Sequence, residues 1–256
     1  MSDPVPRVRR EPPALRSLTV VRTEARSPRL MRLVVGGPEL AGLQIDEPAA
    51  SVRLLVPWPG DTFELPTWNG NEFLLADGRR PALRTFTPAA LDAERNQLTI
   101  DVVRHPGGAI SDWVETAAPG EPCAVSGPGR GETIDPTATR YVLLGDETAI
   151  PAIEQLLHAI PDPVAVEVHV EITGDDARLT LPSHPSATIT WHVAERDEPP
   201  GSSLHTAITG VEIDGDTRVW AAGEAAAVQA IRRHLFGEPG VPRAHATIRG
   251  YWKVPR

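Results

Sequence analysis

The stretch Tyr141–Pro151, with the sequence YVLLGDETAIP, strongly limits the folds that this chain can adopt. Its first four residues form a short apolar run typical of a buried strand, and Gly145 permits a sharp turn directly after them. From Ile150 onward, apolar residues recur at helical spacing, and Pro151 suits the first turn of a helix. We therefore predict a strand, a tight turn and a helix N-terminus.

The chain before this stretch has the pattern of antiparallel β-structure. Apolar Leu98, Ile100 and Val102 alternate with polar Thr99 and Asp101, as in a half-buried strand. We predict strands over 18–21, 30–35, 52–56, 83–87, 98–104 and 122–125, a short helix over 111–117 and a long loop over 61–81. Short strands separated by glycine and proline turns predict an antiparallel barrel or sandwich.

The chain after this stretch alternates between strands and helices. We predict strands over 164–172, 188–193, 219–222 and 247–251, and helices over 150–160, 204–208 and 224–236. This order is typical of an α/β domain with a parallel sheet. We place the domains at 16–135 and 136–256, and expect residues 1–15, rich in arginine and proline, to form a disordered tail.

Composition excludes several classes of function. The 256 residues carry a formal net charge of -9, which argues against nucleic acid as a partner, because no basic excess exists to neutralise phosphates. Cys123, in an apolar run, is the only cysteine, and we expect it to be a core residue. We find no His/Cys spacing typical of a metal site, and no run of the ~20 apolar residues that membrane insertion needs. We therefore expect a cytoplasmic protein without a structural metal.

The β-half contains the sequence Arg84-Thr-Phe-Thr87. An arginine can hold a phosphate bidentately, an aromatic ring can cover a planar ligand, and a threonine hydroxyl can bond a ring nitrogen. Strand alternation predicts Arg84 and Phe86 on one face and Thr87 on the other. The alternative is a salt-bridged strand arginine beside a core phenylalanine.

A glycine-rich turn follows in the same half, over His105–Trp113. Gly107 and Gly108 would let the backbone approach a ligand closely, and Ser111 would lie near a helix N-terminus, which favours phosphate. The alternative is an ordinary turn with Ser111 as the N-cap. A third glycine-rich turn, Gly127–Gly131, is equally consistent with a simple connection between domains.

The turn after Leu144 lacks the features of a phosphate-binding loop. Dinucleotide loops use glycines there, because the pyrophosphate must approach bare N–H groups. Asp146 and Glu147 would instead repel phosphate, and they are suited to cap the helix. Glu224 occupies a similar strand–glycine–acid–helix position.

Taken together, these motifs resemble the siderophore-interacting protein family, whose members are flavin-dependent ferric-siderophore reductases of the ferredoxin-reductase-like superfamily. The matching segments extend over nearly the whole chain: 84–87, 105–113, 127–131, 145–151, 220–224 and 250–253. The resemblance implies two domains, an N-terminal Greek-key β-barrel that binds FAD and a C-terminal α/β domain that binds NADH or NADPH.

The resemblance also implies roles for individual residues. The implied cofactor-binding residues are Arg84, Thr85, Phe86, Thr87, His105, Gly108, Ala109, Ile110, Ser111, Thr148 and Trp252. The implied catalytic residues are Thr87, Asp146 and Glu147, and the implied substrate-binding residues are Arg249 and Lys253. The implied partner is a ferric siderophore. The electron donor is either a nicotinamide nucleotide or a protein.

The chain departs from the family pattern at several positions. Ala89 replaces a second arginine, Pro106 replaces a glycine, and Ala109-Ile110 replaces a Pro-Ala pair. The leading hypothesis is a cytoplasmic reductase that passes electrons from NAD(P)H through FAD to siderophore-bound Fe(III). The departures motivate an alternative, a siderophore- or small-molecule-binding protein with weak or lost redox activity. A flavin reductase with another acceptor is a third hypothesis.

Overall fold

The computed structural model describes residues 14–237 and 240–254, which form two main β-sheets with helices around them. The strands of the first half are β1 (Leu15–Ser27), β2 (Leu30–Gly36), β3 (Val52–Val56), β4 (Thr67–Trp68), β5 (Phe73–Leu74), β6 (Ala82–Phe86), β7 (Pro88–Asp92), β8 (Gln97–Val103) and β9 (Pro122–Ser126). One helix, α1 (Ala109–Thr116), lies between β8 and β9.

Seven of these strands form one antiparallel sheet in the order β6-β3-β9-β1-β2-β8-β7. The two edge strands, β6 and β7, are joined by the single residue Thr87, so the chain passes directly from one edge of the sheet to the other. This connection closes the sheet into a barrel. The predicted antiparallel barrel is therefore confirmed.

The barrel core follows from the alternation seen in the sequence. Leu98, Ile100 and Val102 point inward from β8, and they join Leu33 and Leu54 in one buried cluster. Helix α1 packs against β2, β6 and β8 and contributes Ile110 and Val114 to the same cluster. Cys123 is fully buried there, which confirms it as a core residue.

The second half is a parallel sheet with helices on both faces. Its strands are β10 (Arg140–Asp146), β11 (Ala165–Ile172), β12 (Ala187–Val193), β13 (Thr217–Glu224) and β14 (Ala246–Trp252). Its helices are α2 (Ile150–Ala159), α3 (Ser202–Thr209) and α4 (Ala225–Phe236). The strand order is β12-β11-β10-β13-β14, and all four pairings are parallel.

Strand β10 lies at the centre of this sheet, and successive residues serve its two faces. Leu143 belongs to the apolar cluster that contains α2, whereas Val142 and Leu144 belong to the cluster that contains α3 and α4. A strand covered on both faces is apolar at every position, as the run 141–144 indicates. The predicted α/β domain is therefore confirmed.

Several local predictions differ from the structure. The predicted loop over 61–81 contains the small ribbon β4–β5, and β7 was missed because Pro88 and the two alanines after it obscure a strand pattern. Helix α1 begins at Ala109, two residues before its predicted start. Leu15 begins β1 instead of ending a tail, and residues 1–13 of the predicted tail lie outside the described residues.

The domain boundary predicted between residues 135 and 136 falls in the connection between β9 and β10 and stays a prediction. Among the described residues, every helix is too short or too polar to cross a bilayer.

Candidate functional site

The Arg84–Thr87 segment lies on the edge strand β6, which leaves it accessible. Arg84 is exposed, and its guanidinium donates to the carbonyl of its own neighbour Leu83 at 2.8 Å. No carboxylate of the described residues pairs with Arg84, so they supply no salt bridge for the alternative interpretation, whereas its core phenylalanine is present in Phe86. Thr85 is exposed, Phe86 packs partly on the barrel core, and Thr87 is buried with 5% exposed.

A hydrogen bond within the His105–Ser111 turn fixes its conformation. The Ser111 hydroxyl accepts a 2.9 Å bond from the backbone N–H of His105. Gly107 has a φ of 73°, and nothing lies within 4 Å of where its Cβ would stand. A Cβ on Gly108 would lie 2.1 Å from the His105 ring, so only glycine lets this ring rest on the turn.

Gly108 is the N-cap of α1, and no side chain caps this helix start. Ser111 is therefore the third residue of the helix, and the alternative that it is an ordinary N-cap is wrong. The turn borders a cleft of about 290 Å³, lined by Arg29, Arg104, His105, Pro106, Ser111, Asp112 and Glu115.

The fold brings the Arg84–Thr87 segment close to the His105–Ser111 turn. Helix α1 packs on β6, and Ala109 and Ile110 share an apolar cluster with Phe86. The exposed Arg84 and the uncapped turn at Gly107-Gly108 therefore belong to neighbouring elements.

These residues fit the phosphates of a flavin dinucleotide. Phosphate oxygens require available donors. Arg84 donates only to the carbonyl of Leu83 and has no carboxylate partner among the described residues, and the uncapped turn supplies further N–H groups. The substitutions Ala89 and Pro106 remove one guanidinium and one N–H from the family pattern, but they leave this donor set in place.

Thr87 connects the barrel to the second domain. Its hydroxyl lies 3.4 Å from the phenol oxygen of Tyr251 on β14, and the two side chains are 164 positions apart in the sequence. Burial is the main cause that raises the pKa of Tyr251, and the contact with Thr87 opposes it. Tyr251 is neutral near pH 7, so its hydroxyl can orient that of Thr87.

Asp146 uses both carboxylate oxygens in buried hydrogen bonds. Its Oδ1 accepts from the N–H of Thr148 at 2.9 Å and also from the Thr148 hydroxyl. Its Oδ2 accepts from the N–H of Glu224 at 3.0 Å and from Nε1 of Trp252 at 2.6 Å. Burial raises the pKa of Asp146 above its usual value, and these hydrogen bonds offset only part of that increase. Asp146 thus ties the ends of three strands together.

Glu147 joins the two domains. Its Oε1 accepts from the backbone N–H and the hydroxyl of Thr173, both at 2.7 Å, and its Oε2 lies 3.2 Å from Nε of Arg29 in the barrel. The catalytic roles of Asp146 and Glu147 stay predictions. The contacts of Glu147 make it a positioning group between the domains, and those of Asp146 make it a positioning group within the α/β sheet.

The C-terminal strand carries the remaining predicted residues. The Arg249 guanidinium donates to the carbonyls of Ala49 at 3.1 Å, Arg130 at 3.2 Å and Gly131 at 2.6 Å, and so fixes the connection between the domains. Lys253 is exposed, and Trp252 beside it is 38% exposed. The substrate roles of Arg249 and Lys253 stay predictions.

Sequence reasoning missed Arg29 and Tyr251. No local signal could identify Arg29, because its partner lies 118 residues away. Tyr251 could have been found, because strand alternation in β14 gives it the same face as Arg249.

Two family models match the chain, one for each half. The siderophore-interacting FAD-binding domain matches residues 19–132, and the siderophore-interacting protein model matches residues 138–254. Together they cover the barrel and the α/β domain.

Individual relatives agree with these matches. The NADPH-dependent ferric-chelate reductase of Escherichia coli is 30% identical over 93% of this chain and 92% of its own length. The mycobactin import protein IrtA of Mycobacterium tuberculosis is 30% identical over 93% of this chain, which spans only 26% of that relative. The solved siderophore utilization protein from T. fusca is 34% identical, with a TM-score of 0.83, over 95% of this chain and 94% of that one.

More distant solved reductases, 16–19% identical with TM-scores of 0.60–0.67, share the ferredoxin-reductase-like fold alone. The two domain matches, the full-length likeness to relatives at 30% identity or more and the exposed donors at Arg84 and Gly107 agree. The chain therefore belongs to the siderophore-interacting protein family, with an FAD-binding barrel followed by a siderophore-interacting α/β domain.

Proposed function

We propose that this protein is a cytoplasmic oxidoreductase that passes electrons from NAD(P)H through FAD to the Fe(III) of a ferric siderophore. The observation that carries the proposal is the combination of an exposed Arg84, an uncapped helix start at Gly108 and a buried Thr87 hydroxyl on the same edge of the barrel. Relatives named as an NADPH-dependent ferric-chelate reductase and a ferric vibriobactin reductase support this class of reaction.

Bound FAD would accept a hydride from a nicotinamide and deliver electrons singly, which is the conversion that ferric iron requires. Arg84 would hold the phosphates with its exposed guanidinium, and the N–H groups at Gly108, Ala109 and Ile110 would complete their contacts. Thr85, His105, Ser111, Thr148 and Trp252 complete the proposed cofactor-binding set.

The residues at the junction of β6 and β7 would hold the flavin ring. Phe86 would flank its plane, and Thr87 would offer its hydroxyl to a ring nitrogen. Tyr251, 3.4 Å away, would keep that hydroxyl in one orientation. Glu147, through Arg29, would fix the α/β domain against the barrel, and Asp146 would fix the strand ends beside it, so that donor and acceptor meet at a constant distance.

The ferric siderophore is the substrate. Lys253 is exposed just after β14 and would attract an anionic chelate. Arg249, four residues earlier, lies 3.7 Å from Glu132, so its proposed substrate role would require it to exchange this partner. Iron that becomes Fe(II) is held less tightly by the hard oxygen donors of a siderophore, so reduction would release it.

Flavin binding is the first test of this proposal. We expect added FAD to bind the purified protein and to be bleached by NAD(P)H, with a ferric siderophore restoring its absorbance. Arg84→Ala should weaken FAD binding by roughly tenfold or more, because a charge-assisted contact of ~1.5–3 kcal/mol is lost. Arg95→Ala, on the β7–β8 turn, is the control, since Arg95 is equally exposed and pairs only with Asp92.

If the purified protein binds no FAD, the proposed oxidoreductase function is wrong. Equal FAD affinity for Arg84→Ala and wild type would instead disprove only the phosphate role of Arg84.

A second candidate is a siderophore-binding protein of the same fold without redox turnover. Ala89 and Pro106 favour it, because each removes a phosphate donor. Binding of a ferric siderophore without any NAD(P)H oxidation would identify this function.

A further inference from the structure

The carboxyl ends of the parallel strands define where a donor nucleotide binds in an open α/β sheet. Ligands lie in the crevice where the strand order reverses, and a pyrophosphate sits on free N–H groups at a helix start. Here the order reverses between β10 and β13, so the crevice is bounded by Asp146 and Gly223.

A carboxylate fills this crevice. Oδ2 of Asp146 accepts from the N–H of Glu224 at 3.0 Å and from Nε1 of Trp252 at 2.6 Å. A Cβ on Gly223 would stand 2.6 Å from the same oxygen. The space that a pyrophosphate needs between the two strands is therefore occupied by the protein itself.

Two helix starts at this edge of the sheet, those of α4 and α3, are also occupied. Glu224 caps α4, because its Oε2 accepts from the N–H groups of Ala226 at 2.5 Å and Ala227 at 3.0 Å. Glu171 caps α3 through the N–H groups of Gly201 at 2.6 Å and Ser203 at 3.2 Å. The amides at these two helix starts already have partners, and in the turn between β10 and α2 the N–H of Thr148 is bonded to Asp146.

The charge at this edge opposes an anion. Asp146, Glu171 and Glu224 are buried, and within residues 14–237 and 240–254 none of the three has an arginine, lysine or histidine partner. Glu147 alone is paired, with Arg29. A pyrophosphate placed here would meet three buried carboxyl groups that have no basic partner to offset its own charge.

We infer that the α/β domain accepts only the nicotinamide end of its donor and does not bind the ADP half at the carboxyl edge of its sheet. Because the 2′-phosphate that separates NADPH from NADH lies on the ADP half, the protein treats the two donors alike. Short dihydronicotinamides serve equally well. This inference rests on the proposed function, and it specifies the chemical class of the donor.

The reaction itself needs only the nicotinamide ring. The C4–H bond of the dihydronicotinamide breaks, its hydrogen and electron pair leave as hydride to the bound flavin, and the ring becomes a pyridinium cation. One proton from solvent completes the two-electron reduction. The ADP half takes no part in these bond changes.

A binding measurement with fragments of the ADP half tests the inference without any catalytic turnover. FAD-loaded protein is titrated with ADP-ribose and with 2′,5′-ADP in a calorimeter, so that the adenosine site of the flavin is already filled. We expect no saturable binding up to about 1 mM. A dissociation constant below about 100 μM for either compound would overturn the inference and leave the proposed function intact.

Flavin reduction supplies the second measurement. Under anaerobic conditions, NADPH, NADH and reduced nicotinamide mononucleotide should reduce the flavin with second-order rate constants within about tenfold, because the ADP half adds no binding energy. An advantage of more than about a hundredfold for NADPH would overturn the inference. Reduction by none of the three would overturn both the proposed nicotinamide donor and the inference.

One variant tests whether the carboxylates are the reason that the ADP half does not bind. Glu224→Gly frees the amides of Ala226 and Ala227 and removes one charge, so ADP-ribose should bind at least about tenfold more tightly than to wild type. Glu195→Gly is the control, because Glu195 is an exposed carboxylate just beyond β12. A folded Glu224→Gly protein without this gain would overturn the role assigned to the carboxylate.

Discussion

The indole Nε1 of Trp252 donates a 2.6 Å hydrogen bond to Oδ2 of Asp146, although the two residues lie 106 positions apart. The bond ties the end of the edge strand β14 to the end of the central strand β10. Its acceptor is buried, whereas Trp252 itself is 38% exposed. The orientation of this aromatic ring therefore depends on a carboxylate within the sheet.

Replacement of Trp252 by phenylalanine should test this bond. The ring stays apolar, but a buried carboxylate oxygen loses a donor, and we expect a loss of ~1–3 kcal/mol in the free energy of unfolding. Urea denaturation measures the change. Trp58→Phe is the control, since Trp58 donates a 3.0 Å bond to the carbonyl of Arg80 at an exposed site. Equal losses in both variants would contradict a special role for the buried acceptor.

Asp101 is the centre of a buried ion network in the barrel. Its fully buried carboxylate lies 2.6 Å from Arg26 and 2.8 Å from Arg32, and Arg26 also reaches Glu154 of α2 at 3.0 Å. Asp101→Ala leaves two arginines without their shared partner, so we expect a loss of about 3–5 kcal/mol in unfolding free energy. Chemical denaturation provides the measurement.

The control for Asp101 is Asp92→Ala, which removes an exposed ion pair with Arg95. We expect its denaturation midpoint to stay close to that of wild type, because exposed pairs contribute little. If both variants unfold at the same urea concentration, burial of Asp101 has no energetic consequence and the prediction is wrong.

Gly201 combines two constraints on one residue. Its φ is 83°, and a Cβ there would lie 2.2 Å from the Cβ of Ala227 on α4. Gly201→Ala should therefore cost ~1–3 kcal/mol through overpacking, with backbone strain in addition. Gly215→Ala, where the added Cβ meets nothing within 4 Å, should leave the thermal midpoint unchanged. Similar midpoints for the two variants would refute the packing argument.

Cys123 should be inert in the native protein. Burial raises the pKa of its thiol to about 12, so the thiolate fraction near pH 8 is only about 10⁻⁴. We expect no reaction with a thiol reagent until urea unfolds the chain, and one equivalent thereafter. The raised pKa means that the proton stabilises the folded state. This stability is complete below the unfolded pKa of about 8.5 and is lost as pH rises toward 12, and Cys123→Ala should lack the loss.

His192 should make the protein less stable in mild acid. Burial lowers its pKa, and His169, with Nδ1 at 3.1 Å from Nε2 of His192, lowers it further, while Glu171 opposes both. A base with a lowered folded pKa gives stability that is complete above its unfolded pKa of about 6.5 and is lost as pH falls below it.

Unfolding free energies at about pH 7 and pH 5 should therefore fall less for His192→Gln than for wild type. His158→Gln, at an exposed histidine on α2, is the control and should follow wild type. A His192→Gln protein with the wild-type pH slope would show that the histidine pair has no influence.

The sequence predicts the elements of this fold well where apolar periodicity is strong. The run Tyr141–Leu144 and the helix after it appear as predicted, because a central strand and a helix face are both defined by local pattern. Strand β7 was missed because Pro88 and the two alanines after it give no strand pattern, and only the pairing with β8 defines the strand. Short edge strands carry little local signal.

The candidate site is less accessible to sequence reasoning. The motif at Arg84 and the turn at Gly107 are visible as local patterns, and so is the acidic turn at Asp146. The contacts of Glu147 with Arg29 and of Thr87 with Tyr251 join residues more than a hundred positions apart, and only the closed barrel and the packed domains bring them together. Long-range pairing of this kind leaves no periodic trace.

The exposed Lys253 is the only lysine of the chain, as every other basic side chain apart from histidine is arginine. Amine-reactive reagents thus find one side chain to modify, next to Trp252 at the end of β14, besides the α-amino group. A dye or a surface linker attached there would report from the rim of the proposed substrate entrance. Molecules immobilised through this side chain would all present the same face to solution.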